Sequence, residues 1–341
     1  MSFFGRTSCS ITCIWLLCGT IGICLAIPYN GKGHTDKKQT TDFAGSGDSP
    51  DLPQLNRDRT LNVTTTETSM QRTGEGQCSR TKIVGGHVSE NHWPWQAELY
   101  VKKSGRHLCG GTLVGSEHVL TAAHCFDTYD KNEVMVRLGS RSRLLHESSV
   151  QTYPISCLHV HKNYAGRGNY DYDIALLKLK TAATEATQSR GVVLDEHVAM
   201  ACLPRRREFG ANAKCVVTGW GYTNFRNLLL GRLPSQLREA RVPLISTKTC
   251  RDAYGYTLTN RMVCAGFMQG EKRADTCKGD SGGPLVCQSE DGQWKLWGVT
   301  SWGGNTFCNQ SPTDPAPGVY MRVDKFVNWI NKKKTTKRCT V

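Results

Sequence analysis

Three short stretches of this sequence carry side chains that could together perform nucleophilic catalysis. His124 lies in Thr-Ala-Ala-His-Cys, Asp173 opens Asp-Ile-Ala-Leu-Leu, and Ser281 lies in Gly-Asp-Ser-Gly-Gly-Pro. A serine hydroxyl is a weak nucleophile until a base removes its proton, and a histidine oriented by a buried carboxylate is such a base. The glycines around Ser281 let backbone N–H groups point at a developing oxyanion. These residues indicate acyl-transfer chemistry.

A second carboxylate, Asp171, lies close to Asp173 in the sequence. Only Asp173 is followed directly by an apolar run, Ile-Ala-Leu-Leu, which is typical of a buried strand. A carboxylate that orients a histidine has to be buried. We therefore expect Asp173, and not Asp171, to be the partner of His124.

The elements that position these side chains are predicted to be strands. From Ile83 onward, short apolar or alternating runs are separated by Gly, Pro and Asn. The predicted strands are 95–101, 111–113, 118–121, 134–138, 155–160, 174–179, 214–219, 238–242, 262–265, 284–286, 295–301 and 318–323. Residues 324–334 carry apolar side chains at helical spacing and predict a late helix. The pattern favours an all-β sandwich or a pair of barrels.

The order of the motifs supports a family resemblance. Ile-Val-Gly-Gly at Ile83, the three stretches above and Ser-Trp-Gly at Ser301 follow one another along the chain. From Ile83 to about Ile330, the sequence resembles the chymotrypsin/trypsin family of serine proteases. The resemblance implies two packed six-stranded antiparallel β-barrels with a C-terminal helix, and a catalytic domain over residues 83–341. It also implies an endopeptidase without a cofactor, protein or peptide substrates, and inhibitors of the serpin or Kunitz type.

The resemblance assigns catalytic roles residue by residue. His124 would be the general base, Asp173 its orienting carboxylate and Ser281 the nucleophile. The backbone N–H groups of Gly279 and Ser281 would form the oxyanion hole.

Further assignments concern the substrate pocket. Asp275 would form its base and Gly303 and Gly318 its walls, with Ser301 in the same substrate-binding set. A carboxylate at the base predicts cleavage after Arg or Lys, because a neutral residue would leave that cation unpaired. The segment between Ser301 and Gly318 is longer than in trypsin, so we expect a reshaped pocket rim.

The resemblance also implies activation by cleavage. A cut between Lys82 and Ile83, made by a trypsin-like activator, would free an ammonium group that pairs with Asp280. Because an unpaired buried charge is costly, this pair could switch the oxyanion hole between disordered and formed states. The sequence therefore predicts a zymogen.

The 16 cysteines indicate an oxidising compartment. The family pattern implies the pairs Cys78–Cys202, Cys109–Cys125, Cys215–Cys287, Cys250–Cys264 and Cys277–Cys308. Cys157 and Cys339 remain, and we hypothesise that they pair with each other. Ser140 and Val150 stand where trypsin's calcium loop has two glutamates as ligands, so we expect no calcium site there and assign no metal-binding residues.

Residues 1–26 predict a signal peptide, with an uncleaved signal-anchor as the alternative. Residues 27–82 are rich in Thr, Ser, Gly, Asp and Lys and predict a disordered pro-segment. Asn62 in this segment opens a glycosylation sequon. The protein is therefore expected to be secreted, or membrane-anchored with an extracellular catalytic domain.

The chain is basic, with 43 Lys+Arg against 29 Asp+Glu and a formal charge of +14. Two clusters are densest, Arg205 to Arg207 and Lys332 to Lys334. They are either a solvated basic face or a site for a glycosaminoglycan. Nucleic acid is not an expected partner, because the chain is expected to be exported. The alternative to an enzyme is a non-catalytic member of the same fold that binds a polyanion or a protein.

Overall fold

The computed structural model describes residues 88–89, 92–145, 147–166, 168–182, 191–267, 276–303, 317–336 and 339. The predicted signal peptide, the pro-segment with Asn62, and the cleavage site at Lys82 and Ile83 lie outside these residues. Within the described ranges, no helix combines the length and the apolar character needed to cross a bilayer.

The first six strands close into an antiparallel barrel. They are β1 (Gln96–Val101), β2 (His107–Gly115), β3 (His118–Thr121), β4 (Val134–Leu138), β5 (Gln151–Val160) and β6 (Ala175–Leu179). Around the barrel the order is β1-β2-β3-β6-β5-β4. Buried and partly exposed side chains alternate along β4, as expected for a strand with one face on a core. Leu99, Leu113, Leu138 and Leu176 are fully buried in this core.

The second six strands form an antiparallel sheet. They are β7 (Lys214–Gly219), β8 (Arg238–Pro243), β9 (Met262–Ala265), β10 (Pro284–Gln288), β11 (Trp294–Gly303) and β12 (Gly318–Arg322), in the order β8-β7-β10-β11-β12-β9. Its two edge strands meet at a bridge between Leu244 and Ala265. The predicted fold class, two six-stranded antiparallel β-barrels with a C-terminal helix, is confirmed.

Several element boundaries differ from the sequence prediction. β5 begins at Gln151, whereas the sequence predicted a start at residue 155. The prediction missed the first residues of the strand because they are polar and include Pro154. The helices α1 (Phe225–Leu229) and α2 (Thr247–Tyr254) were not predicted. Among the residues of α2 only Cys250 is buried, so no apolar stripe marks it. The late helix α3 (Val327–Lys334) starts after a 3₁₀ turn at Val323–Lys325.

Disulfides hold both barrels. The structure contains the expected bonds Cys109–Cys125, Cys215–Cys287 and Cys250–Cys264. It also contains the hypothesised bond Cys157–Cys339, which ties the residue at position 339 to strand β5. Cys202 and Cys277 are disulfide-bonded too. Their expected partners, Cys78 and Cys308, lie outside the described residues.

An ion pair joins the two barrels beside the β6 strand. Asp171 precedes β6, and Arg261 precedes β9 in the second barrel. The Arg261 guanidinium donates to both Asp171 carboxylate oxygens, at 2.8 Å from Nε, and lies 4.3 Å from the centre of the Tyr172 ring. Burial alone would raise the pKa of Asp171, but hydrogen bonds from Arg261 and Thr259 outweigh it and lower that pKa.

We predict that Arg261→Ala lowers the free energy of unfolding by about 1–3 kcal/mol, since it leaves a partly buried carboxylate without its charged donor. The difference from the parent should be largest above the ordinary aspartate pKa, about 3.9, and should vanish as acid protonates Asp171. Denaturant unfolding in a Ser281→Ala background measures it without self-digestion. Arg251→Ala removes an exposed arginine as the control. An equal loss in both variants at neutral pH would contradict the prediction.

Candidate active site

His124 and Asp173 are in direct contact. His124 lies in the 3₁₀ turn Ala123–Phe126 that follows β3, and Asp173 lies just before β6, which pairs with β3 in the barrel. The Nδ1 atom of His124 is 2.7 Å from Oδ2 of Asp173. The His124 side chain is 13 % exposed and that of Asp173 is 0 % exposed. An ionised carboxylate only accepts, so Nδ1 would carry the hydrogen of a neutral ring, and Nε2 would have the lone pair that a general base requires.

The buried Asp173 carboxylate has three hydrogen-bond donors. Besides His124 Nδ1, it accepts from the backbone N–H of His124 at 2.8 Å and from the Ser301 hydroxyl at 2.5 Å. Buried charges are tolerated when they are hydrogen-bonded in this way. Asp171 is committed to Arg261 instead. The choice of Asp173 over Asp171 as the His124 partner therefore agrees with these contacts.

Ser281 lies in a tight turn between Asp280 and β10. The next residue, Gly282, has φ +77°, and a Cβ atom there would lie 2.1 Å from the Thr121 hydroxyl oxygen. The turn therefore needs glycine at this position. The Ser281 carbonyl accepts from the Gly110 N–H at 2.8 Å, which fixes the turn against β2. In the described residues, the catalytic candidates His124 and Ser281 are not hydrogen-bonded to each other.

The backbone around Gly279 is held on both sides. Gly279 has φ +99°, so its N–H and carbonyl directions depend on a conformation that other residues rarely adopt. The peptide that carries the Gly279 N–H is anchored by a bond of 3.0 Å from the Tyr222 N–H to the Lys278 carbonyl. The Gly279 carbonyl lies 2.8 Å from His107 Nε2.

The Asp280 carboxylate lies against the end of β7 in the second barrel. It accepts from the N–H groups of Gly221 and Cys277 at 2.7 and 2.9 Å. Burial raises the pKa of Asp280. The two backbone donors and the nearby His107 act in the opposite direction, but the effect of burial is larger. A buried carboxylate in this state gains from a cationic partner. Ile83, whose freed ammonium was expected to supply it, lies outside the described residues.

The expected pocket walls are adjacent strands. Gly303 on β11 pairs with Gly318 on β12, and a Cβ atom at position 303 would lie 3.7 Å from the Gly318 Cα. Asp275, the expected pocket base, lies outside the described residues. Ser301 was grouped with the substrate-binding residues, but its hydroxyl is used on Asp173. Its side chain therefore supports the carboxylate that contacts His124.

Aromatic rings beside His124 were missed by the sequence analysis. The Tyr170 ring meets the His124 ring edge-on at 5.9 Å and stacks on Trp302 at 6.3 Å. Tyr254 packs edge-on against Trp302 at 4.7 Å. Together they give the site an apolar wall. Their position could have been noticed, because Tyr170 lies shortly before Asp173 and Trp302 directly follows Ser301.

Two β-barrels with a buried Asp–His pair and a serine in a glycine turn define a serine peptidase fold. A sequence model of the trypsin family matches residues 83–330, which is most of the chain. The chain belongs to the trypsin family of serine peptidases.

We predict that Ser301→Ala lowers kcat/KM roughly five- to tenfold, because removing one donor from a buried carboxylate costs about 1 kcal/mol or more. Steady-state kinetics on an activated preparation measures this. Ser156→Ala, which removes a hydroxyl that donates to the Lys178 carbonyl at 2.9 Å, is the control and should keep the parent's rate. A Ser301→Ala rate equal to that of the control would contradict the role of Ser301.

A second prediction concerns the space around Asp280. A Cβ atom at Gly219 would lie 2.1 Å from the Asp280 Oδ1 atom, so Gly219→Ala forces the carboxylate and its turn to move. We expect kcat to fall at least about tenfold, in line with damage to an oxyanion hole.

The matched control for Gly219→Ala is Gly210→Ala, where an added Cβ meets nothing within 4 Å. Active-site titration should show that the Gly219 variant is activated normally but turns over slowly. Parent-like turnover in the Gly219 variant would show that the Asp280 side chain is free to shift without harm.

Proposed function

We propose that this chain is a secreted serine endopeptidase, made as a zymogen, that cleaves proteins after Arg or Lys. The observation that carries the proposal is the His124–Asp173 contact of 2.7 Å with a fully buried carboxylate. Such an imidazole, with its free Nε2 directed away from Asp173, is equipped to take a proton from a nearby hydroxyl. The alternative, a non-catalytic binding member of the fold, leaves this arrangement without a use.

The reaction proceeds in two halves. His124 Nε2 removes the proton of the Ser281 hydroxyl as its oxygen attacks the substrate carbonyl carbon, and the oxyanion is bound by the N–H groups of Gly279 and Ser281. His124 then gives the proton to the leaving amine, so that an acyl-enzyme remains on Ser281. Water, activated by the same histidine, attacks the acyl carbon and releases the acid. Throughout, Asp173 stabilises the imidazolium.

Specificity and activation rest on two carboxylates. Asp275 would pair with the Arg or Lys side chain in a pocket kept open by Gly303 and Gly318. Cleavage after Lys82 would free the Ile83 ammonium for Asp280. Support comes from the burial of Asp280, which raises its pKa and favours a cation beside it.

The basic clusters suggest an accessory partner. Arg205, Arg206 and Arg207 have exposed side chains. In α3, by contrast, the Lys334 ammonium donates a hydrogen bond to the Val114 carbonyl, so this lysine is less available to an anionic partner. A sulfated polysaccharide bound at the arginines is the corresponding partner proposal.

The test uses the full chain, treated with immobilised trypsin that is then removed, and checked for an Ile83 N-terminus by sequencing. Fluorogenic peptides ending in Arg, Lys, Phe or Ala are then assayed. Turnover of only the Arg and Lys peptides, only after activation, is expected. A Ser281→Ala protein processed in parallel measures residual trypsin and should show no other turnover.

Two outcomes would contradict the proposal. Turnover of Phe peptides would show that the segment between Ser301 and Gly318 overrides Asp275. No turnover of any peptide, despite a complete Ile83 terminus, would favour the non-catalytic alternative.

A further inference from the structure

A chain of buried polar groups runs from the first barrel to the turn that carries Ser281. Glu98 on β1 and His107 on β2 have side chains that are each 1 % exposed. Glu98 Oε1 lies 2.9 Å from His107 Nδ1, and His107 Nε2 lies 2.8 Å from the Gly279 carbonyl oxygen. The other oxygen of Glu98 accepts from Arg137 on β4 at 2.8 Å.

The hydrogen-bond roles in this chain follow from the types of atom. The Gly279 carbonyl can only accept, so His107 Nε2 carries a hydrogen. Glu98 is paired with the Arg137 guanidinium and accepts as a carboxylate, so His107 Nδ1 carries a hydrogen as well. With both nitrogens as donors, the ring would carry a positive charge, and its bond to Gly279 would be a charge-assisted one. Glu98 therefore decides which atom His107 presents to Gly279.

The contact matters because of where Gly279 stands. Its N–H is the expected oxyanion donor, while its carbonyl belongs to the next peptide, which leads through Asp280 to Ser281. A glycine at φ +99° has several other conformations open to it, so its peptide planes need anchors to stay in one. Tyr222 anchors the peptide before Gly279, and His107 anchors the one after it.

We propose that Glu98 is a positioning residue, which acts through His107 to hold the Gly279 carbonyl and so keeps the oxyanion hole formed before substrate binds. This rests on the proposed function, because an oxyanion hole matters only to a catalyst. Glu98 touches neither substrate nor Ser281, and its effect passes through one side chain and one peptide.

Stability alone is a poor reason for burying these charges. Replacing a buried ion pair with well-packed apolar side chains is often neutral or stabilising. The contact with Gly279 is a function that an apolar pair could not supply.

The kinetic test compares Glu98→Ala, Glu98→Gln and a matched control, Glu239→Ala. Glu239 on β8 is also a buried carboxylate, and it accepts from the Ser89 hydroxyl at 2.8 Å and from Trp93 Nε1 at 2.9 Å. For Glu98→Ala we expect kcat to fall about tenfold or more with KM within about twofold, less than the loss from deleting an oxyanion donor outright. Glu98→Gln, whose amide can still bond His107 Nδ1, should recover most of that loss.

Two inhibitors separate the oxyanion hole from the substrate pocket. A peptide boronic acid ending in an arginine analogue forms a tetrahedral adduct on Ser281, and its affinity should fall with kcat in Glu98→Ala. Benzamidine occupies only the pocket, and its affinity should stay within about twofold of the parent. We expect Glu239→Ala, the structural control, to lose kcat, benzamidine affinity and thermal stability in parallel. The same pattern in Glu98→Ala would show that Glu98 has only a structural role and would overturn the proposal.

A spectroscopic test does not depend on activity. In ¹⁵N-histidine-labelled Ser281→Ala protein, cleaved at Lys82, the His107 ring should show two slowly exchanging N–H protons, assigned by their loss in His107→Phe. Glu98→Gln should remove the Nδ1 proton and keep the Nε2 proton, which decides the matter even if Glu98→Ala does not fold. A single ring N–H in the parent would overturn the proposal, whereas an inactive wild type with both protons would count against the proposed function alone.

Discussion

The structure depends on the burial of one carboxylate, that of Asp173. Its side chain is fully buried, so its charge depends on hydrogen-bond donors from the protein. Those donors come from both barrels: His124 from the first, through its backbone and its ring, and Ser301 from strand β11 of the second. The same residues therefore orient the histidine and hold the barrels in one relative position. Loss of either contact would leave a buried charge partly unsatisfied.

A second buried carboxylate, Asp280, organises the other half of the site. Its two backbone donors, Gly221 and Cys277, belong to segments that flank the Ser281 turn. The close approach of Asp280 to Gly219 leaves no room for a side chain there. Because burial raises the pKa of Asp280, the turn is poised to respond to a cation, and this is the physical basis for proposing control by the Ile83 ammonium.

The two halves are linked by the chain from Glu98 through His107 to Gly279. The Asp173 half orients His124, the proposed base, and the Asp280 half sets the turn that carries Ser281, the proposed nucleophile, and the expected oxyanion donors. Glu98 and His107 link strands of the first barrel to that turn by hydrogen bonds, across the same interface that His124 and Ser301 share. Catalytic geometry in this fold is thus a property of the contact between barrels.

The sequence by itself determined the fold class and the candidate residues His124, Asp173 and Ser281, because each lies in a short motif whose chemistry is local. It also separated Asp173 from Asp171, since burial follows from the apolar run after it. It did not reveal α2, in which only Cys250 is buried and no apolar stripe marks the helix, nor the early start of β5.

Only the tertiary structure decided the partners of these residues. His107 and Gly279 lie 172 positions apart, and Ser301 and Asp173 lie 128 apart, and no spacing rule connects either pair. Such contacts arise when two closed sheets pack together, and they are chosen by the need to satisfy every buried charge. A strand pattern reports which side chains face inward, but it is silent on which inward-facing groups will meet.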